Sequence, residues 1–276
     1  MKRVNGFQSC CRLGRSAALC FLALGLVFVP HTVGAAKQPS VSPLPRIQAF
    51  KPGEKLTYEI SWSKIITAGT AVMEVQEDSL PTGKKVLRFI ATSRSVGAVD
   101  AIYPVNDIVQ SVFDPQTMQS LSFSLSESHG TKKRRRALVF DHGARTVVST
   151  LNNDPPQTLT IPDQVQDALS SLYELRTRDD FTIGKTHIIN VHDSGKTWSV
   201  EVHTLGREKV KTPAGEFNTI KVKTFPRYEG VFMNKGEIFI WLTDDSRKIP
   251  VLMKSTISIG SIMTTLTSMN PGDAAR

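Results

Sequence analysis

Alternation with a period of two, repeated between short turns, constrains this chain more than any other feature of its sequence. In Leu56-Thr57-Tyr58-Glu59-Ile60-Ser61-Trp62, the residues Leu56, Tyr58, Ile60 and Trp62 share one face of an extended segment, and Thr57, Glu59 and Ser61 share the other. That is the pattern of a strand with one face in a core. Ala68-Gly69-Thr70 leads into Ala71–Gln76, and Pro81-Thr82-Gly83-Lys84 reads as a turn before Val86–Thr92. The first three strands are therefore expected to form an antiparallel meander. Asp107–Phe113, Leu121–Ser128, Arg136–Phe140 and Thr146–Leu151 continue the rhythm, and Ser95–Tyr103 reads as one helical turn stopped by Pro104.

One segment changes period. Asp163 stands where an N-cap would, Gln166 follows three residues later, and Val165, Ala168, Leu169, Leu172 and Tyr173 recur at helical spacing. The spacing predicts a helix over about 164–178, packed against a sheet by that stripe. Asp179-Asp180 falls just beyond its C-terminus, where the helix dipole disfavours negative charge, so these acids should face solvent or a cation. Strands then resume over His187–His192, Thr197–Leu205, Phe217–Phe225, Glu237–Leu242, Val251–Ile259 and Ile262–Thr267. The predicted fold is mainly β: curved antiparallel sheets with one amphipathic helix, forming either an incomplete barrel or a sandwich. The expected boundaries are one β-rich domain over 53–270 and a flexible tail over 271–276.

The chain begins with a different chemistry. Lys2, Arg3, Arg12 and Arg15 precede an apolar run over Ser16–Val29, and Val33-Gly34-Ala35 offers the small residues a signal peptidase accepts. Pro30 and His31 stop the run short of the ~20 apolar residues a spanning helix needs. Residues 1–35 are therefore expected to be a cleaved secretory signal, and the product to be periplasmic, soluble or peripheral to the membrane. Cys10, Cys11 and Cys20, the three cysteines of the chain, all lie in this segment, so the processed protein would have neither disulfides nor thiolate chemistry. Cys20 sits within the apolar run rather than at its end, which argues against lipidation. Residues 36–52 carry four prolines and read as an extended leader to the first strand.

Composition then bears on partners. The formal net charge is +9, and four of those charges belong to the expected signal. Lys132, Lys133, Arg134, Arg135 and Arg136 form the densest basic run. Inside a cell such a run suggests nucleic acid, but an exported chain meets lipid phosphates or acidic envelope polysaccharides instead. The run is thus a candidate anion site, against the alternative of a solvated hairpin edge whose charge discourages aggregation. No nucleophile elbow, zinc-protease helix motif or phosphate-binding glycine loop occurs. His187 and His192 lie an odd number of residues apart on a predicted strand and so point to opposite faces. Glu59, Glu74, Asp107, Glu127, Asp193, Glu229 and Asp244 are strand or turn carboxylates with no spacing that singles out a catalytic pair. No catalytic residue, cofactor or metal is assigned.

Several segments nevertheless stand together in a distinctive order. They are Pro52-Gly53-Glu54-Lys55-Leu56-Thr57-Tyr58 with Ala68-Gly69-Thr70-Ala71, then Asp167–Arg176, then Pro213-Ala214-Gly215-Glu216-Phe217, and last Ile240–Pro250. This order resembles the exported bacterial family known as domain of unknown function 3108. The resemblance implies fold and location and brings no catalytic residues. The pattern is also similar to the incompletely closed barrels of periplasmic lipoprotein carriers, an analogy of fold alone. The leading expectation is a non-enzymatic protein enclosing an apolar groove for a lipid-like envelope amphiphile. Leu56, Tyr58, Ile60, Trp62, Leu169 and Leu172 would line its core or groove, and the basic run would draw in an anionic head group. Two rivals are an enzyme or binding protein for acidic envelope polysaccharide, and an assembly factor that recruits partners along a sheet edge.

Overall fold

In a computed structural model of the chain, residues 47–272 are described, apart from 64, 229–230, 233–236 and 258–259. The expected signal, residues 1–35, and most of the proline-rich leader lie outside the described residues.

The alternating segments become one continuous sheet. Its first half is an antiparallel meander: β1 (Glu54–Trp62), β2 (Ile66–Ser79), β3 (Lys85–Ser95), β4 (Asn106–Asp114), β5 (Gln119–His129), β6 (Lys132–Asp141), β7 (Thr146–Leu151) and β8 (Gln157–Thr160). The expected helical turn before Pro104 is α1 (Gly97–Ile102), carried between β3 and β4. The second half comprises β9 (Val165–Gln166), α2 (Ser170–Arg176), β10 (Thr186–Asp193), β11 (Lys196–Thr212), β12 (Gly215–Tyr228), β13 (Val231–Phe232), β14 (Ile238–Thr243), β15 (Pro250–Ile257) and β16 (Gly260–Pro271).

The last strand returns to the first. β16 pairs antiparallel with β1, so the sheet runs from β8 through β1 and β16 to β9, and β13 pairs only with β12. β8 and β9 are consecutive in the chain yet form the two free edges. Of the two expected forms the incomplete barrel is the one found: an open, curled sheet that stops short of closure. Arg136 of β6 reaches Asp193 at the end of β10, an ion pair between the two limbs of the curl.

The helix is shorter than the periodicity predicts. Val165 and Gln166 pair in parallel with Asn190 and Val191 of β10, and Gln164 before them has a φ of 55°. Asp163 is exposed and pairs with Arg145 instead of capping. The starting signal is Asp167, whose Oδ1 accepts the backbone N–H groups of Leu169 (2.7 Å) and Ser170 (2.8 Å). Its Oδ2 accepts the hydroxyls of Ser111 and Ser120, each at 2.5 Å, from strands β4 and β5. A strand pairing thus takes the first periodic positions, and a buried carboxylate nucleates the helix four residues later than the capping pattern indicates. β16 extends to Pro271, the first residue of the expected tail, whose carbonyl accepts from Arg247, and residues 273–276 lie outside the described residues.

Helix α2 plugs the curl. Tyr173 stacks on Phe89 of β3, with ring centroids 3.8 Å apart and planes within 7°. Phe50, just before β1, meets the rings of Phe89 and Tyr173 edge-on. Arg176 is fully buried, forks onto the Glu54 carboxylate at 2.7 and 2.8 Å, and donates to the carbonyls of Ala49 (2.7 Å) and Arg247 (3.1 Å). Its guanidinium also lies over the rings of Phe50 and Tyr173. Tyr58 donates to the Pro250 carbonyl at 3.0 Å. Opening segment, helix and the turn before β15 are thereby tied into one knot with all its charge paired, the condition under which burying ions is tolerated.

Candidate functional site

On the other side of α2 the packing is incomplete. Leu172, Leu175, Ala168 and Ser171 of the helix segment face inward-pointing residues of four strands: Ile189 and Val191 of β10, Trp198, Val200 and Val202 of β11, Thr224 and Pro226 of β12, and Ile238 and Ile240 of β14. Between them lies an open groove of about 440 Å³. Its size and lining are those of a small-molecule site. Period-two alternation puts these strand residues on one face, and they pack against Leu175 and Leu172 without filling the space beside the helix. Asp193 and Ser194, at the turn between β10 and β11, bring polar atoms to one end of the groove, where Arg136 meets Asp193.

The residues predicted to line core or groove divide. Leu172 faces the groove. Leu56, Tyr58 and Leu169 are buried in the core on the other side of α2. Ile60 is half-buried on β1 and Trp62 is exposed at the end of that strand. A register shift between Ile60 and Ser61 in the pairing with β2 interrupts the single inward face that the alternation implies. The remaining lining residues carry the same period-two signal as the first half. What separates them is composition: apart from Trp198 and, at the polar end, Asp193, every groove-lining position on β10, β11, β12 and β14 is aliphatic, Thr or Pro.

The basic run also divides. Lys132, Lys133, Arg134 and Arg135 are exposed, whereas Arg136 points inward, buried, to Asp193. Alternation starts within the run because β6 begins at Lys132. Arg134 lies 3.9 Å from Glu127, and no ion pair involves Lys132, Lys133 or Arg135 among the described residues.

The carboxylates considered for catalysis are dispersed, most of them onto separate basic partners, and Glu59 is exposed. Glu74 meets Lys55, Asp107 meets His129, and Asp244 meets Arg207, while Glu229 lies outside the described residues. Trp241 is buried and donates its indole N–H to Glu208, which holds that carboxyl below its ordinary range. Burial pushes the Glu174 carboxyl up, and its Oε2 has no hydrogen-bond partner. His192 is buried, which lowers its pKa, and His187 lies on the opposite face of β10, its Nε2 against the Asp180 carbonyl at 2.7 Å. Among the described residues no three His, Cys, Asp or Glu side chains converge as metal ligands, and no helix is long and apolar enough to cross a membrane.

The architecture has counterparts among solved structures. A β-barrel-like protein of domain of unknown function DUF1849 from Brucella abortus superposes with a TM-score of 0.54 at 12% identity, covering 80% of this chain and 98% of that one. It shows a shared fold and nothing more. A Bacteroides fragilis protein of YmcC-like fold, provisionally described as exported, covers 80% of this chain and 97% of its own at 13% identity, and a Parabacteroides distasonis protein, provisionally described as a lipoprotein, covers 80% and 96% at 10%. Both have TM-scores of 0.33, too low to bear on the argument. No curated protein matches the chain. The segments whose order marks the sequence contribute Glu54, Asp167, Tyr173, Arg176 and Arg247, which are the residues that fix α2 in the curl. A family profile matches residues 57–267, most of the chain, and the protein belongs to that family, the proteins of unknown function DUF3108.

Proposed function

We propose that this protein is a periplasmic, non-enzymatic carrier that holds the apolar chain of a lipid-like envelope amphiphile in the groove beneath α2. The observation that carries the reading is the groove itself: an open space of about 440 Å³ between Leu172 and Leu175 of the helix and the aliphatic face of β10, β11, β12 and β14. Each methylene withdrawn from water there contributes about 0.8 kcal/mol, so an acyl chain gains several kcal/mol even after the cost of ordering it. A polar head would lie at the Asp193–Ser194 end, where Arg136 supplies a guanidinium beside the Asp193 carboxylate. The signal pattern over residues 1–35 supports the location.

Titration with a fluorescent acyl probe tests the reading. The processed chain should enhance the probe's emission saturably, with one site per chain. Leu172→Asp, which places a charge on the half-buried groove wall, should abolish that signal while the far-ultraviolet circular dichroism stays β-rich. A native chain that leaves the probe in water would refute the reading. Leu169, the other helix position predicted to line core or groove, is unsuited to the test because it is buried in the core, and a charge there would act on folding.

A further inference from the structure

In an antiparallel meander alternate connections emerge at the same end of the sheet. The β1–β2, β3–β4 and β5–β6 connections therefore share one rim, and they span four strand spacings, about 19 Å. Backbone bonds tie them together. Val96 N–H donates to the Ala68 carbonyl at 3.1 Å, Gly130 N–H donates to the Pro104 carbonyl at 2.7 Å, and Val105 bridges to His129. The β10–β11 turn with Asp193 and Ser194 emerges at this same end, so the polar end of the groove lies at the rim.

The rim carries two chemistries that water-facing turns seldom combine. Large apolar side chains stand at its tips: Ile65 is 84% exposed, Ile102 84% and Tyr103 49%, with Ile66 and Trp62 beside Ile65. Exposed cations flank them, namely Lys132, Lys133, Arg134 and Arg135 on β6 and Arg94 at the end of β3. The acids at this end are fewer among the described residues: Asp100 accepts the Ser95 hydroxyl, Asp107 holds His129, Glu127 lies near Arg134, Asp193 holds Arg136, and Asp154 on the β7–β8 turn is exposed. Apolar tips ringed by unneutralised lysine and arginine are complementary to one surface in particular, a bilayer whose acyl boundary lies just beneath anionic phosphates.

We infer that this rim docks on an anionic membrane, with Ile65, Ile66, Ile102 and Tyr103 entering the headgroup–acyl boundary and Lys132, Lys133 and Arg135 paired with lipid phosphates. Docking turns the polar end of the groove toward the bilayer, so the inference deepens the carrier reading on the side of its partner. It does not depend on cargo being bound. Vesicle association reads the rim and probe binding reads the groove, and each can fail without the other.

Co-sedimentation of the processed chain with phosphatidylglycerol-containing and pure phosphatidylcholine vesicles tests it. Binding to the anionic vesicles should be strong at low salt and fall as salt rises. The pair Lys132→Gln and Lys133→Gln should weaken it about 25-fold, about five-fold for each lysine. Ile65→Ser with Ile102→Ser should weaken binding at least ten-fold and reduce its residual salt-resistant part. All four positions are exposed, so the substitutions leave the core untouched, and an unchanged thermal midpoint verifies this. Equal binding to neutral vesicles, no binding to either, or binding that survives both double substitutions overturns the inference.

Discussion

The two sides of α2 are built from the same alternation and end in opposite states. Toward the first half the helix presents Tyr173, and the space is filled by rings: Phe50, Phe89, Phe113, Phe123 and Tyr58 belong to one cluster with Leu169. Toward the second half it presents Leu172 and Leu175 against Ile189, Val191, Val202, Val222 and Ile240, and the cluster there contains a single aromatic residue, Phe181. One side is closed and the other leaves a groove. A sheet of given curvature encloses a fixed volume, so the size of the inward side chains decides which part of it becomes core and which part remains open. The knot around Arg176 belongs to the closed side, where it anchors the helix whose far face then overhangs the space.

The largest effect is expected at that knot. Arg176→Met leaves the Glu54 carboxylate buried with only the more distant Arg247, at 3.4 Å, to answer it. Unfolding in urea should show a loss of roughly 3–5 kcal/mol. A loss below about 1 kcal/mol would mean that the knot does not hold the helix.

Next comes the contrast between the two sides. Phe89→Ala, on the filled side, should cost about 3–4 kcal/mol, because it opens a cavity under Tyr173. Leu172→Ala should cost about 1 kcal/mol, because part of that side chain already faces open space. Similar losses at both positions would contradict the distinction between core and groove. Val200→Phe sharpens it further. The added ring has room to enter the groove, so stability should hold or rise by up to about 1 kcal/mol while acyl-probe binding is lost.

Most of this architecture was legible in the sequence, and the reasons differ from element to element. Strands such as β1 and β10 announce themselves because alternation is a local property of the chain. The extent of α2 did not, because Val165 and Gln166 fit either a helical stripe or a strand, and a long-range pairing with β10 decides between them. Asp167 lies within the segment whose order marks the family, but its hydrogen bonds to Ser111 and Ser120 join residues at least 47 positions away. The groove was legible only as an expectation of some apolar space. Which face leaves that space depends on how the sheet curls, and Leu56 and Leu172, alike in sequence terms, fall on opposite sides of the helix. In the basic run, the partner of Arg136 is fixed by the curl that brings β10 to β6, which no local pattern shows.

The smallest effect is a pH dependence on the closed side. Burial pushes the Asp167 carboxyl above the ordinary carboxylate range, against the hydrogen bonds from Ser111, Ser120 and Ser170. The folded protein then binds this proton more tightly than the unfolded chain does. The contribution from Asp167 is complete below the unfolded value and is lost as pH rises through the raised folded value. The advantage of the native chain over Asp167→Asn should accordingly be larger at about pH 4 than at about pH 7 in urea unfolding. An advantage that grows with rising pH would show that the hydrogen bonds outweigh burial.

Native mass spectrometry of the protein recovered from its own cells, beside Val200→Phe prepared in the same way, bears most directly on the groove. The native chain should carry one acyl-bearing molecule per polypeptide, and the filled variant should fly at its bare mass. A native chain that arrives empty, or a filled variant that keeps the same cargo, would contradict the account.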